Sequence, residues 1–541
     1  MRAGESTFQK RLDEARTVGD WSSSGPNADE LVEKVFRDQL RRPEHFGRVG
    51  YHHLLVLADQ IMVSPELLLI QNSHLNQQLA RMPQEIVDYF DPMPAPDWVD
   101  EKQLAIASRI WVNNTITLLL VLYASSLPSC YLIQKGIPVL YTSDKLRDRK
   151  NISQRLFETG FMLDDVMSPG GIKVIQDVRD GGRQDRYLWG RGYLSAKKVR
   201  VLHASMRLML QFPPHTITAQ NAGEDRGKWK NHWDVGRLGI PINQEDMAYT
   251  LLTFGYLLPR GLEIWGDKLT LEEKNAVLHL WKVTGYIMGI QPDLMTDKWD
   301  EAESLFGKLQ ARGKGDGSTE AGLALTETVM GFVGGYFPKI GGMEKRLPAT
   351  MIIDQCGLEV ARYLIAPELI ADSRRIGPRF CYGVAKAAAR IYFFLRNMIM
   401  PRMPMVGAFL ANLLHGSGKE LVESFRDSFV RQPFFIPKNA TTWEEEKGAT
   451  EEFHQRLDHW RQVLFRHILF SIVLLAISLF CFVPLLYFLP NYIFWSPDST
   501  GVRFWTAFCS IGTLVPLLSA IAIMKYQLPA IFESRPSIKS T

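Results

Sequence analysis

Two uncharged apolar runs near the end of the chain, Ile468 to Leu489 and Phe504 to Met524, constrain its architecture most. Each has about the length that crosses a bilayer, and neither holds an acidic or basic residue. Tyr492, Trp495 and Trp505 stand at their ends, where amphipathic rings settle at the lipid–water interface. The alternative, a buried hairpin of a soluble core, is disfavoured because core helices are rarely apolar all round. Arg456, Arg461 and Arg466 precede the first run and Lys525, Arg535 and Lys539 follow the second, while the connecting loop holds only Asp498 and Arg503. The excess of basic residues on one side predicts a membrane hairpin with the large N-terminal part in the cytosol. The sequons at Asn151 and Asn439 would then stay away from the glycosylation machinery.

The chain has 541 residues, 46% of them hydrophobic and 22% charged, enough for a sizeable core. Its net charge of +4 is nearly balanced, and no basic stripe with interleaved aromatics suggests nucleic acid as a partner. The five cysteines, at 130, 356, 381, 481 and 509, form no CxxC pair and read as reduced thiols. The polar N-terminus has no apolar segment of the secretory kind.

Ahead of the tail the periodicity is helical. Segments 30–40, 101–125, 152–167, 195–211, 244–258, 271–290, 349–365 and 383–398 predict helices, with Thr270, Glu272 and Glu273 a plausible start for one of them. The run "TITLLLVLYAS" from Thr115 is too short to span a membrane and predicts a core helix. "DPMPAPDW", "SPGG", "DGGRQDRYLWGRG" and "RGKGDGS" read as loops. The resulting organisation is an N-terminal helical region (1–93), a helical body (94–431), a polar hinge (432–462) and a membrane tail (463–541).

Within "KVRVLHASMRLML", Val199, His203, Met206 and Leu210 recur at helical spacing, which puts one imidazole among apolar side chains. Such a histidine is either a hydrogen-bonded core residue or a metal ligand. No phosphate loop, HExxH or dinucleotide fingerprint occurs. "GPRFCYG", Gly377 to Gly383, looks like the thiolate loop of cytochromes P450. Its upstream aromatic is replaced by Arg374, however, and Glu359-x-x-Arg362 lies too close to Cys381. Cys381 is therefore expected to be an ordinary small core residue.

Four segments in order, "PAPDWVDEKQLAIASRIW", "SLPSCYLIQKGIPVLYTS", "VRVLHASMR" and the stretch from Leu238 to Ile290, resemble a known oxygenase family. It comprises bacterial latex-clearing proteins (rubber oxygenases) and the fungal membrane-bound oxygenase of mycophenolic acid biosynthesis. The resemblance implies an all-α, globin-like body that binds haem b and uses O2 to cleave C=C bonds of isoprenoid chains. It makes His203 the proximal iron ligand, and Arg207, one turn on, either a partner of a haem propionate or a surface residue. The family's distal Arg-x-x-Lys-Thr matches "RLFET", so Arg155 and Thr159 would donate to dioxygen as charge develops on it. Glu158 replaces the family's lysine, which puts the sixth iron position in question. The expected protein is an endoplasmic-reticulum haem oxygenase acting on a lipophilic, prenylated substrate drawn from the bilayer. A membrane-tethered haem-binding or scaffold protein without chemistry is the alternative.

Overall fold

The computed structural model describes residues 2–22, 27–41, 89–142, 159–177, 185–212, 228–335, 337, 342–402, 451–495 and 499–534. Two N-terminal helices come first: α1 (Arg2–Ala15) and α2 (Ala28–Arg41). The long helix α3 (Glu101–Val121) starts on Asp100, whose carboxylate accepts from the Lys102 N–H, and it bends at Asn114. It runs on through a π-turn and a short helix to Cys130. Leu118, Val121 and Leu122 are buried, as expected of a core helix. With its continuation to Cys130, however, this helix is also long and apolar enough to cross a membrane, against the expectation of a run too short to span. The helix α4 is described over residues 159–167, and α5 (Arg191–Gln211) carries the imidazole singled out above.

Next come α6 (Gln244–Gly255), α7 (Leu257–Trp265) and α8 (Leu271–Ile287). The α8 start is a full capping box between Thr270 and Glu273, which satisfies two otherwise unpaired backbone groups. The body continues with α9 (Trp299–Gly313), α10 (Glu320–Gly334), α11 (Met343–Cys356), α12 (Leu358–Leu364) and α13 (Ile376–Arg402). The expected single helix 349–365 is broken at Gly357, whose φ of +85° places it in the region glycine adopts without strain. Leu12, Ala15, Ala28 and Leu31 belong to the same core cluster as Trp111 and Trp281, so the N-terminal segment packs into the body.

The fold is helical, with one small exception. The segments taken as loops around "SPGG" and "DGGRQDRYLWGRG" contain strands β2 (Lys173–Asp177) and β3 (Asp185–Trp189). With β1 (Met93–Pro94) they form an antiparallel sheet of order β1-β3-β2, in which Leu188 faces Met93 on one side and Val174 on the other. β2 and β3 pair with each other from Asp177 and Asp185, close in sequence, whereas β1 is held by a partner distant in sequence, which local pattern conceals.

"GPRFCYG" is not a loop: Gly377 to Gly383 lies inside α13, which begins seven residues earlier than periodicity placed it. Cys381 is exposed there, against the expectation of a core position. The tail forms α14 (Glu451–Pro490) and α15 (Thr500–Ala522). Contacts from Trp460 to Ile531, Ser478 to Thr513 and Thr506 to Phe488 run in opposite chain directions, so the two helices are antiparallel. With its continuation to Gln527, α15 is long and apolar enough to cross a membrane.

Candidate functional site

Helix α5 is held from both ends. At its start, Gly190 has φ +125°, and the Gly192 N–H donates to the Gly171 carbonyl at 2.6 Å. A Cβ on Gly192 would lie 2.6 Å from Cα of Val166, so the first turn of α5 rests directly on the backbone of α4. Arg191 and Asp165 form an ion pair at 2.5 Å across the same junction.

Further along, three cations of α5 point into the protein. Arg200 is 1% exposed and grips Asp20 with two nitrogens, at 2.8 and 2.7 Å, while donating to the Ile287 and Trp21 carbonyls. The same Asp20 caps α2 by accepting from the Ala28 N–H. Arg207 is also buried; its Nε donates to Asp29 at 2.7 Å and one terminal nitrogen to the Ile242 carbonyl at 2.9 Å. It is therefore not a surface arginine, and two of its three nitrogens are committed to the protein. Lys197 is buried with its ammonium 4.0 Å from the Tyr89 ring centroid. Burial, reinforced by the nearby Arg200 charge, pushes its pKa down to about 7. Sequence reading missed this network. Three cations on a largely apolar helix were its signal, but nothing local says which acids answer them.

His203 lies beside these residues on the helix. Of the 21 residues of α5, only Arg191, Lys198, Val199, Leu202 and His203 are not buried. The last three form one stripe at i, i+3 and i+4 spacing. Val199 packs against the main core and Leu202 against a smaller cluster of Val139, Met206, Met209 and Leu210, so His203 marks the seam between two apolar groups. Its Nδ1 is enclosed, and its remaining exposure therefore lies away from that nitrogen.

His279 of α8 is buried. His279 accepts from the Asp100 N–H through Nε2 at 3.0 Å and meets Asp297 through Nδ1 at 3.3 Å. Both ring nitrogens are used structurally, and the His279 hydrogen bond, with Lys282, holds the Asp297 carboxyl well below the usual range. Burial also pushes the Cys130 and Cys356 thiols up to about 11, which keeps them protonated. Among the described residues, no three His, Cys, Asp or Glu side chains gather as a metal-chelating set.

Thr159 is half-buried at the described start of α4, and the next residue, Gly160, lies against Leu119 of α3 and Tyr123 of the π-turn that follows it. Arg155 and Glu158 lie outside the described residues.

The family model for the catalytic domain of ER-bound oxygenase mpaB/B′ and rubber oxygenase matches residues 111–391, just over half of the chain, and the chain belongs to that family. The match runs from Trp111 in α3 into α13 and includes α5 with His203. The rubber oxygenase of Streptomyces sp. (strain K30) is 27% identical over 200 residues, which are 36% of this chain and 44% of that protein. The chain thus matches less than half the length of this curated relative. A solved structure, "Structure of Latex Clearing Protein LCP in the closed state", aligns over 76% of this chain and 91% of its own, at 18% identity and a TM-score of 0.45.

Proposed function

We propose that the protein is a haem b oxygenase of the endoplasmic-reticulum membrane, acting with O2 on a C=C bond of a lipophilic, prenylated substrate, with its body in the cytosol. The observation that carries this reading is the incompletely covered stripe of Val199, Leu202 and His203 on a helix of which, apart from Arg191 and Lys198, every other residue is buried. Haem, held by one histidine and otherwise by apolar contacts, would suit such a stripe. Membership of an oxygenase family supports the reaction class. The relative named rubber oxygenase supports a polyisoprenoid kind of substrate.

In this reading His203, as a neutral imidazole, would hold the haem iron, and Val199 and Leu202 would line the apolar surface beside it and exclude water. Haem, when bound, supplies the binding and activation of dioxygen. Arg155 and Thr159 would supply a guanidinium and a hydroxyl as hydrogen-bond donors beside the haem, with the Glu158 carboxyl next to them in sequence. Arg207 serves the site through Asp29, fixing the pitch of α5, since most of its guanidinium is already engaged. The hairpin α14–α15 keeps the body beside the phase in which such a substrate dissolves. Basic residues flanking its apolar runs support the cytosolic orientation.

Absorption spectra of the purified full chain test the assignment. The ferrous protein with CO is expected to show the band of histidine-ligated haem, His203→Ala to lose haem, and Cys381→Ser to leave the spectrum unchanged. A thiolate-type band, or haem retained without His203, overturns the assignment.

A further inference from the structure

The body covers its large apolar side chains well, with one exception. Outside the C-terminal hairpin, those that are substantially exposed among the described residues are Trp98, Ile116 and Leu271, singly placed, and six residues of α13. The six are Ile376 (88% exposed), Phe380 (68%), Val384, Ile391, Phe394 (67%) and Met398. Their spacing puts them on one face of a 27-residue helix. Gly383 and Ala387 lie between them, and no charged residue interrupts the stripe.

This face is not open because the helix is loosely attached. On the opposite side, the Tyr382 hydroxyl donates to Asp354 at 2.9 Å, and Lys386 reaches both oxygens of that carboxylate at 2.8 Å. Arg396 pairs with Asp267 at 2.6 Å and donates to Asn114 at 2.9 Å, and Phe393 is buried. Such anchoring on three elements fixes which face points outward. Exposed cations stand along the edge of the apolar face, Arg379 and Arg390, and just ahead of the helix, Arg374 and Arg375. Arg375 also reaches Asp372 at 2.8 Å, and Arg390 packs over Gly266.

An apolar half-cylinder with a basic edge and no charge within it matches the requirements of a helix lying in a phospholipid surface. The only other described elements with comparable apolar exposure are those read as membrane-embedded, and they follow α13 in the same chain. We propose that α13 lies in the plane of the bilayer surface as a second membrane contact, its apolar face among the upper acyl chains and its arginines against anionic headgroups. This rests on the membrane reading of the hairpin. It places the body flat on the bilayer, so that a lipophilic substrate leaves the acyl region beside the protein.

The test uses full-length protein lacking Cys381, Cys481 and Cys509, reconstituted in phosphatidylcholine vesicles with or without phosphatidylserine. An environment-sensitive fluorophore is attached at Phe380→Cys, Phe394→Cys, Glu272→Cys or, in the hairpin, Leu514→Cys. Nitroxide lipids should quench the two α13 labels and the hairpin label, and aqueous iodide only the Glu272→Cys label. Reversing Arg374, Arg375 and Arg379 to Glu should weaken lipid quenching at α13 severalfold in the anionic vesicles and leave the hairpin label unaffected. Iodide quenching at α13 alongside lipid quenching at the hairpin overturns the proposal while the membrane reading stands. Protection of α13 from both quenchers also overturns it, because another part of the chain or a second copy then covers the face. Absence of lipid quenching at the hairpin overturns the membrane reading and the proposal together.

Discussion

At the scale of single residues, α5 combines an apolar seam with charges that have no access to bulk water. Asp20–Arg200 is closed on both sides, with side chains 0% and 2% exposed, so removing either partner leaves the other buried and uncompensated. Lys197 is the less balanced member. Its ammonium faces the rings of Tyr89 and Tyr193, with Arg200 repelling it and Asp20 and Asp91 favouring its charge. Because its folded pKa of about 7 lies below the ordinary lysine value, the folded state prefers the neutral amine. Stability from this group is present in full above the unfolded pKa and is lost as pH falls toward 7. Lys197→Met is therefore expected to stabilise the protein by ~1–3 kcal/mol at pH 7. That advantage should shrink steadily toward pH 10, as read by denaturant unfolding across the range. A constant advantage would mean that Lys197 is charged throughout.

At the scale of elements, the contact between α4 and α5 depends on the absence of a side chain. Gly192→Ala would drive a Cβ to within 2.6 Å of one backbone atom and 2.7 Å of another, neither of which can yield as a flexible side chain would. We expect a loss of ~1–3 kcal/mol in unfolding free energy and, on the proposed haem reading, weakened haem retention because α5 carries His203. Gly307 of α9 has open space around it, and Gly307→Ala should be neutral or slightly stabilising. Equal effects of the two substitutions would show that the α4–α5 junction is not packed as described. This junction also explains why helix periods were legible and their ends were not. α5 begins at Arg191 rather than Ser195 because β3 delivers the chain to Gly190 and Gly171 receives the first turn. Both contacts come from residues beyond the window that periodicity sees.

At the scale of the whole molecule, the chain has a helical body rich in internal ion pairs and a hairpin with apolar flanks. The two should be separable in their membrane behaviour. Full-length protein is expected to resist extraction from membranes by alkaline carbonate, as an embedded hairpin does. A chain ending ahead of Glu451 should still bind haem but associate with anionic vesicles only through α13, and salt should release it. Sedimentation with vesicles at low and high ionic strength checks both. A truncated chain that stays bound at high salt, or a full chain released by carbonate, would contradict this division.

The sequence alone determined what short-range pattern can carry. Helical period, the capping signal at Thr270, the apolar tail and the pairing of an imidazole with apolar neighbours all depend on residues a few positions apart. The ordered motifs that mark the oxygenase family were legible for the same reason. Only tertiary structure decided which acid neutralises which buried arginine, because Asp20 and Arg200 are 180 residues apart and no local rule joins them. It likewise decided that Cys381 faces outward from a helix, that Arg207 is buried on Asp29, and that β2 and β3 pair where turn chemistry suggested loops. Long-range contacts select one arrangement among many that the same local preferences allow, since burial and charge pairing are properties of the packed chain and not of its segments.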